Sequence, residues 1–415
     1  MKLRKFVIGI IALLGGLNLN AQNSQSSFKY PTPGEITICA STPIPDGIEP
    51  TRQAYLDLIS CGFNMGMTNG NIDYFKKQFE LIGDLNFKYM IQNGDLFSDK
   101  RDIFIKAFKD VQNFGGWKFK DEPSFESLKE LQSQYHAMYE ADPSDLIYIN
   151  MAGVVGNYFT GPYPTLYEYL EYFQKMFNPE VWSYDFYPIL IRNGNLIVEY
   201  ETFYSALEAF SAISRKTGKP FWAYCESMAY KASSYSRPAA NEAYLRFEAF
   251  SALAYGAQGI VYWTYGQRTP QPTEQYQSAL VNLNGKKSRA WFAAQKVNKE
   301  IKKFNDVFYR CNVLEVRHTG DKIYKNTKKL SGEFGPFKMI RSGDAGVLVS
   351  FIENKGSKYI ILVSRDVFNK QKITLELKNN KKVMNITSSK DTQYSWRKDV
   401  NITLDKGGYV IFKEI

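Results

Sequence analysis

Two acidic residues carry the strongest chemical signal in this chain. They are Glu122, in Gly-Trp-Lys-Phe-Lys-Asp-Glu-Pro, and Glu226, in Phe-Trp-Ala-Tyr-Cys-Glu-Ser. Each closes a short apolar, aromatic run that reads as a buried strand. Two carboxyls facing one pocket can split a glycosidic bond, one donating a proton and the other acting as nucleophile or base. A glycosidic oxygen leaves poorly until protonated, so the donor must hold its proton above the usual carboxylate range. Burial among Trp117, Phe119 and neighbouring rings would supply that rise at Glu122. Plainer readings compete. Asp121-Glu122-Pro123 could open a helix, where acids complement the dipole. Glu226 could pair with a lysine or with Arg268 at a rim, since a buried glutamate needs a partner.

The elements that must position these residues recur regularly. Apolar runs predict strands at Glu35–Ala40, Phe63–Thr68, Tyr89–Asn93, Gly116–Lys120, Leu146–Met151, Trp182–Tyr187, Pro220–Cys225 and Gly259–Tyr265. Between them, helical periodicity fits Pro50–Gly62, Phe125–Glu140, Leu166–Phe177, Tyr204–Thr217, Ala239–Tyr255 and Ser288–Phe308. Unbroken apolar strands suit a parallel sheet covered by helices. Eight such alternations predict an α/β fold, a (β/α)8 TIM barrel over residues 34–309. The first strand is not followed by the glycine turn of a nucleotide-binding sheet. Beyond Phe308 short strands separated by Asn, Gly, Lys and Asp predict a C-terminal antiparallel β-sandwich over 310–415.

Barrel enzymes build their sites at the C-terminal ends of the strands. Residues expected there include Asn93, Asp121, Glu122, Asn150, Asp185, Tyr187, Glu226 and Trp263. Carboxyls, amides and flat rings are the mixture a sugar needs. Glu122 and Glu226 are the catalytic candidates; Asp121, Asn93, Asn150, Asp185, Tyr187 and Trp263 are substrate-binding candidates, with Trp263 as a stacking floor. Strand parity puts Lys118, Lys120 and Glu122 on one face, expected to point inward, and sends Asp121 the other way unless a bulge intervenes. On the seventh strand Trp222, Tyr224 and Glu226 share a face.

Composition excludes several chemistries. His136 and His318 are the two histidines, and neither sits near the expected pocket, which argues against a Ser-His-Asp or histidine-built metal site. Cys39, Cys61, Cys225 and Cys311 lack paired spacing, so no zinc framework is expected. No metal or organic cofactor is implied. Met1-Lys-Leu-Arg-Lys and the apolar run Phe6 to Leu19 read as a signal peptide over 1–21, followed by a linker over 22–33. That predicts a periplasmic or secreted protein without integral membrane association, and export disfavours nucleic acid as a partner. From Arg310 onward 21 Lys/Arg stand against 11 Asp/Glu, so the charge of +10 lies in the expected sandwich, where a solvated face is the plain reading.

The aromatic strands, the Asp-Glu-Pro turn after the fourth and the glutamate after the seventh resemble the clan A retaining glycoside hydrolases. The stretch Leu245-Arg-Phe-Glu-Ala-Phe-Ser-Ala-Leu-Ala-Tyr-Gly-Ala-Gln-Gly-Ile-Val-Tyr-Trp-Thr-Tyr265 is similar to secreted, Bacteroidota-type proteins with a β-galactosidase-like barrel. The resemblance spans roughly Gly34 to Phe308. It implies a hydrolase of oligosaccharide or polysaccharide, with Glu122 as acid/base and Glu226 as nucleophile. Asp121 departs from the asparagine usual before the acid/base. The Asp121-Glu122 pair instead resembles substrate-assisted β-N-acetylhexosaminidases, where the aspartate steadies the substrate's acetamido group. A non-catalytic carbohydrate-binding barrel is the third reading.

Overall fold

The computed structural model describes residues 31–388 and 391–415. The expected signal peptide and residues 22–30 of the expected linker lie outside the described residues. Eight parallel strands close into a ring. They are β1 (Thr37–Ser41), β2 (Met65–Asn69), β3 (Lys88–Gln92), β4 (Phe114–Asp121), β5 (Ile147–Ala152), β6 (Trp182–Asp185), β7 (Phe221–Glu226) and β8 (Gly259–Trp263). Each pairs with the next, and β8 closes on β1 with Thr37 opposite Gly259. This is the (β/α)8 barrel that the spacing of apolar runs predicts.

Alternation builds two apolar layers. Cys39, Met65, Met67, Met90, Tyr148, Trp222, Tyr224 and Val261 fill the interior. Their neighbours, among them Ile38, Ile91, Trp117, Phe119, Ile149, Ala223 and Tyr262, join the layer beneath the helices. Both faces of each strand are therefore dry, which is why the strands read as unbroken apolar runs. The helix Leu166–Phe177 shows how the outer ring is specified. Leu166, Tyr169, Leu170, Phe173 and Met176 form its buried stripe, and Thr165 caps it by accepting from the Glu168 N–H at 3.2 Å. Among the described residues no helix is long and apolar enough to cross a membrane.

Gly116 sets how closely β4 approaches β5. Its φ is +119°, and a Cβ there would lie 2.6 Å from the Leu146 carbonyl oxygen. Only glycine meets both demands at the root of the strand that carries Asp121.

Loops after β6, β7 and β8 build a second, five-stranded antiparallel sheet at the barrel mouth. Its order is Gln275–Ser278, Ala229–Lys231, Ser236–Arg237, Ile189–Arg192 and Asn195–Val198. The C-terminal segment forms two antiparallel sheets, of six and three strands, around a core that includes Phe337, Val349, Ile360, Leu362, Ile373, Leu375 and Phe412. That matches the expected sandwich. Its six-stranded sheet packs on the barrel helix Glu242–Ala254. Tyr409 stacks on Phe250 with centroids 3.6 Å apart, and Ser350 Oγ donates to the Ala254 carbonyl at 2.6 Å. Such a stack adds about 1 kcal/mol beyond the area it buries. Covered on both sides, this helix buries even Glu248, an acid in an otherwise apolar stretch.

His318 belongs to this barrel–sandwich contact, not to a pocket. It is fully buried against Tyr204, and its Nε2 lies 2.8 Å from the Tyr255 hydroxyl. The four cysteines are free thiols, three of them buried.

Candidate active site

The decisive local feature is a bulge in β4. Lys118 pairs with Tyr148, but Lys120 pairs with Ile149 and Asp121 with Asn150, so one extra residue is inserted between Lys118 and Lys120. A bulge reverses side-chain parity beyond it. Lys118 faces the interior and is buried, while Phe119 packs outward on Phe97 and Tyr135. Lys120 does not share the inward face with Lys118, as simple alternation predicts. It leans over the Phe97 ring instead, 5.9 Å from its centroid. Asp121 turns inward. Glu122 follows with φ +39° and donates its backbone N–H to the Asn150 carbonyl at 2.8 Å.

Asp121 is held from two directions, by Lys118 Nζ at 3.3 Å and by Asn150 Nδ2 at 3.1 Å. The same amide donates to Asp185 Oδ1 at 2.6 Å, and Ser183 donates to Asn150 Oδ1 at 2.9 Å. Asn150 thereby clamps the ends of β4 and β6 together. The Glu122 carboxyl completes the group by hydrogen bonding with Asp185. Glu122 is exposed as a residue, yet its carboxyl end is tucked against other acids. Burial, then the charge of Asp121, pushes it above the usual range, with the Asp185 hydrogen bond opposing. Asp185 is pushed up further, by burial first and then by Glu122 and Asp121. Trp117 and Phe119 lie in the outer layer and are not the source of the rise at Glu122, contrary to the sequence expectation. Lys118 is one cation against three carboxyls, so both Glu122 and Asp185 hold their protons more tightly than a free carboxyl does.

Glu226 ends β7 on the interior face, above Trp222 and Tyr224, and is 5% exposed. Its partner is Arg237, not Arg268. Arg237 Nε lies 3.6 Å from Glu226 Oε2, whereas Arg268 stacks on Tyr276. Burial pushes the Glu226 carboxyl well up and Arg237 pulls it back. Its backbone N–H donates to Glu248 Oε2 at 2.9 Å, and burial raises Glu248 to about 8.

Rings close the site. Trp263 stacks on Tyr187 at 5.6 Å and 26°, with Tyr230 and Tyr276 edge-on. Trp263 is thus one wall of a four-ring cluster, not a lone floor. Asp185 links the two glutamates. Its carboxyl opposes the rise at Glu122 and adds to the rise at Glu226.

The fold brings Asp121, Glu122, Asn150, Asp185, Tyr187, Glu226 and Trp263 to one end of the barrel. Asn93 is spent differently. Its Nδ2 donates to the Gly70 carbonyl and its Oδ1 accepts from the Asp95 N–H, both at 2.7 Å, so its amide holds a turn after β3. Two neighbours of Glu226 escape sequence reasoning: Arg237, on a two-residue strand, and Glu248, whose signal is a lone acid in the mostly apolar stretch Leu245–Tyr255. A groove of about 800 Å³ opens beside the site at Gly153 and Phe186, but none of the carboxyls of Asp121, Glu122, Asp185 or Glu226 lines it.

A sequence family described as beta-galactosidase matches residues 125–304, which contain β5 to β8 and Glu226 and begin three residues after Glu122. No curated protein matches the chain. Among solved structures, a family 42 beta-galactosidase from G. stearothermophilus superposes with a TM-score of 0.63 at 10% identity, covering 93% of this chain and 99% of that one. A beta-galactosidase from Bacillus circulans sp. alkalophilus gives 0.59 at 9% identity, over 93% and 99%. A glycoside hydrolase family 5 protein from Bacteroides vulgatus gives 0.55 at 9% identity, over 92% and 88%. At these identities the structural likeness is one of fold; the activity class comes from the matched family. A closed parallel barrel with that family segment in its second half marks this chain as a glycoside hydrolase.

Proposed function

We propose that this enzyme hydrolyses β-galactosides, or closely related β-glycosides, with retention of anomeric configuration. Glu122 is the acid/base and Glu226 the nucleophile. One observation carries the reading: Glu226 stands on the interior face of β7 beside a guanidinium, while Glu122 sits at the end of β4 against Asp185. The raised Glu122 carboxyl keeps the proton that the leaving oxygen needs. Glu226 attacks the anomeric carbon from the opposite face and forms a glycosyl ester as the glycosidic C–O bond breaks. Glu122, now a carboxylate, takes a proton from water as that water releases the sugar. The ring cluster around Trp263 offers flat surface to the apolar face of the sugar.

Proton NMR of the first-formed product tests the reading. The β anomer should appear first from an aryl β-galactoside and then mutarotate; an initial α anomer would exclude double displacement. The inward turn of Asp121 favours a second reading, substrate-assisted cleavage of N-acetylhexosaminides, which also retains configuration. In the same assay it requires turnover confined to N-acetylated substrates.

For localisation, the basic and apolar leader supports export. The mature chain recovered from periplasm or medium is expected to begin at Gln22, and recovery of the intact chain in the cytoplasm alone would refute this.

A further inference from the structure

Arg237 is unusually constrained for a loop arginine. Its strand, Ser236–Arg237, is sandwiched between Ala229–Lys231 and Ile189–Arg192 in the sheet over the barrel mouth. Nη1 donates to the carbonyls of Tyr187 and Ile189, the latter at 3.0 Å. The guanidinium lies over the rings of Tyr235 and Tyr187, at 5.1 and 5.8 Å. These contacts leave Nε free of hydrogen bonds and aimed at Glu226 Oε2, 3.6 Å away. Neither Glu226 oxygen makes a hydrogen bond of good geometry, and the Met228 backbone N–H is the other donor turned toward this carboxyl. A planar fork anchored at one edge presents the other in a fixed direction, which a lysine cannot do.

We propose that Arg237 is a positioning residue, whose clamped guanidinium orients the Glu226 carboxylate for attack on the anomeric carbon. This rests on the reading of Glu226 as nucleophile. The surroundings give the guanidinium a second task. Glu226 is faced by Glu248 from the helix Glu242–Ala254, by Asp185 from β6, by Cys225 on its own strand, and by the Tyr187 and Tyr230 side chains. Arg237 is the cation in that set. A buried carboxyl among acids and phenols holds its proton, and a protonated glutamate is no nucleophile. Arg237 therefore fixes both the direction and the ionisation of Glu226.

The test is inactivation by a 2-deoxy-2-fluoro-β-galactoside with a dinitrophenolate leaving group, followed against pH, with the labelled peptide identified by mass spectrometry. In the unmodified enzyme the label should fall on Glu226. Arg237→Gln should slow labelling roughly 100-fold and move the acid limb of the rate profile upward by about one pH unit or more, because Glu226 now ionises later. Arg237→Lys keeps the charge and loses the fork, so it should slow labelling roughly tenfold with the limb near its original place. Label on Glu226 with unchanged rate and limb in a folded Arg237→Gln overturns the inference alone. Label on another residue overturns the nucleophile assignment beneath it. Should Arg237→Gln not fold, Arg237→Lys decides, and labelling at the original rate overturns the proposal.

Discussion

Glu226→Ala should lower kcat on aryl β-galactosides by about four orders of magnitude or more, roughly 5 kcal/mol of lost transition-state stabilisation. Added azide should restore turnover and give the α-glycosyl azide. The reasoning is geometric and electrostatic. Truncating Glu226 opens a small anion-sized space beside the Arg237 guanidinium, 3.6 Å from where Oε2 stood. Azide occupies that space with the charge the site is built to receive, and attacks the same face of the sugar. The product is therefore inverted once and stays so. Removing one partner of a buried ion pair also destabilises by about 3–5 kcal/mol, so thermal melts must accompany the kinetics. Glu226→Gln, which fills the volume without the charge, guards against mistaking unfolding for lost chemistry. Wild-type turnover of an N-acetylhexosaminide by Glu226→Gln would dismiss the nucleophile role and leave Asp121 and Glu122 as the working pair.

The barrel is legible in the sequence because each of its strands is buried on both faces. Phe221–Cys225 and Gly259–Tyr262 must be continuously apolar to sit between an interior of methionines and rings and an outer helix layer, and that continuity survives as a linear pattern. The placement of Glu226 is legible for the same reason: Trp222 and Tyr224 fix the inward parity of β7. On β4 that logic fails. Trp-Lys-Phe-Lys alternates perfectly as text, yet the bulge after Lys118 re-aims everything beyond it, and bulges follow from pairing with β5, not from local composition. Arg237 is hidden for a related reason. Its strand is two residues long, and its neighbours come from loops after β6 and β7. Register there is set in three dimensions, so no period marks it. Asn93 stands after β3 where a ligand would be met, and part of its amide also holds the turn there.

Glu122→Ala should split substrates by leaving group. Disaccharides and alkyl β-galactosides, whose oxygens need protonation, should lose about 10²–10⁴ in kcat/KM. Dinitrophenyl galactosides need no proton at the first step, so their kcat/KM should fall less than roughly tenfold. Their kcat should fall further, because water lacks its base in the second step and the glycosyl ester on Glu226 accumulates. A burst of dinitrophenolate, equal to the enzyme present, should become visible. The pH profile separates the two roles. Glu122 acts as an acid only while protonated, and burial with Asp121 nearby raises its pKa, so activity on disaccharides is full below that pKa and lost as pH climbs through it. Removing Glu122 should erase this basic limb. Asp185 is the competing donor, since it shares a hydrogen bond with Glu122 and is the more strongly raised of the two. Asp185→Asn separates them. If Glu122 donates the proton, both the basic limb and the leaving-group dependence persist in Asp185→Asn, whose amide can still donate to the Glu122 carboxyl. A basic limb abolished by Asp185→Asn and preserved in Glu122→Ala would transfer the acid role to Asp185.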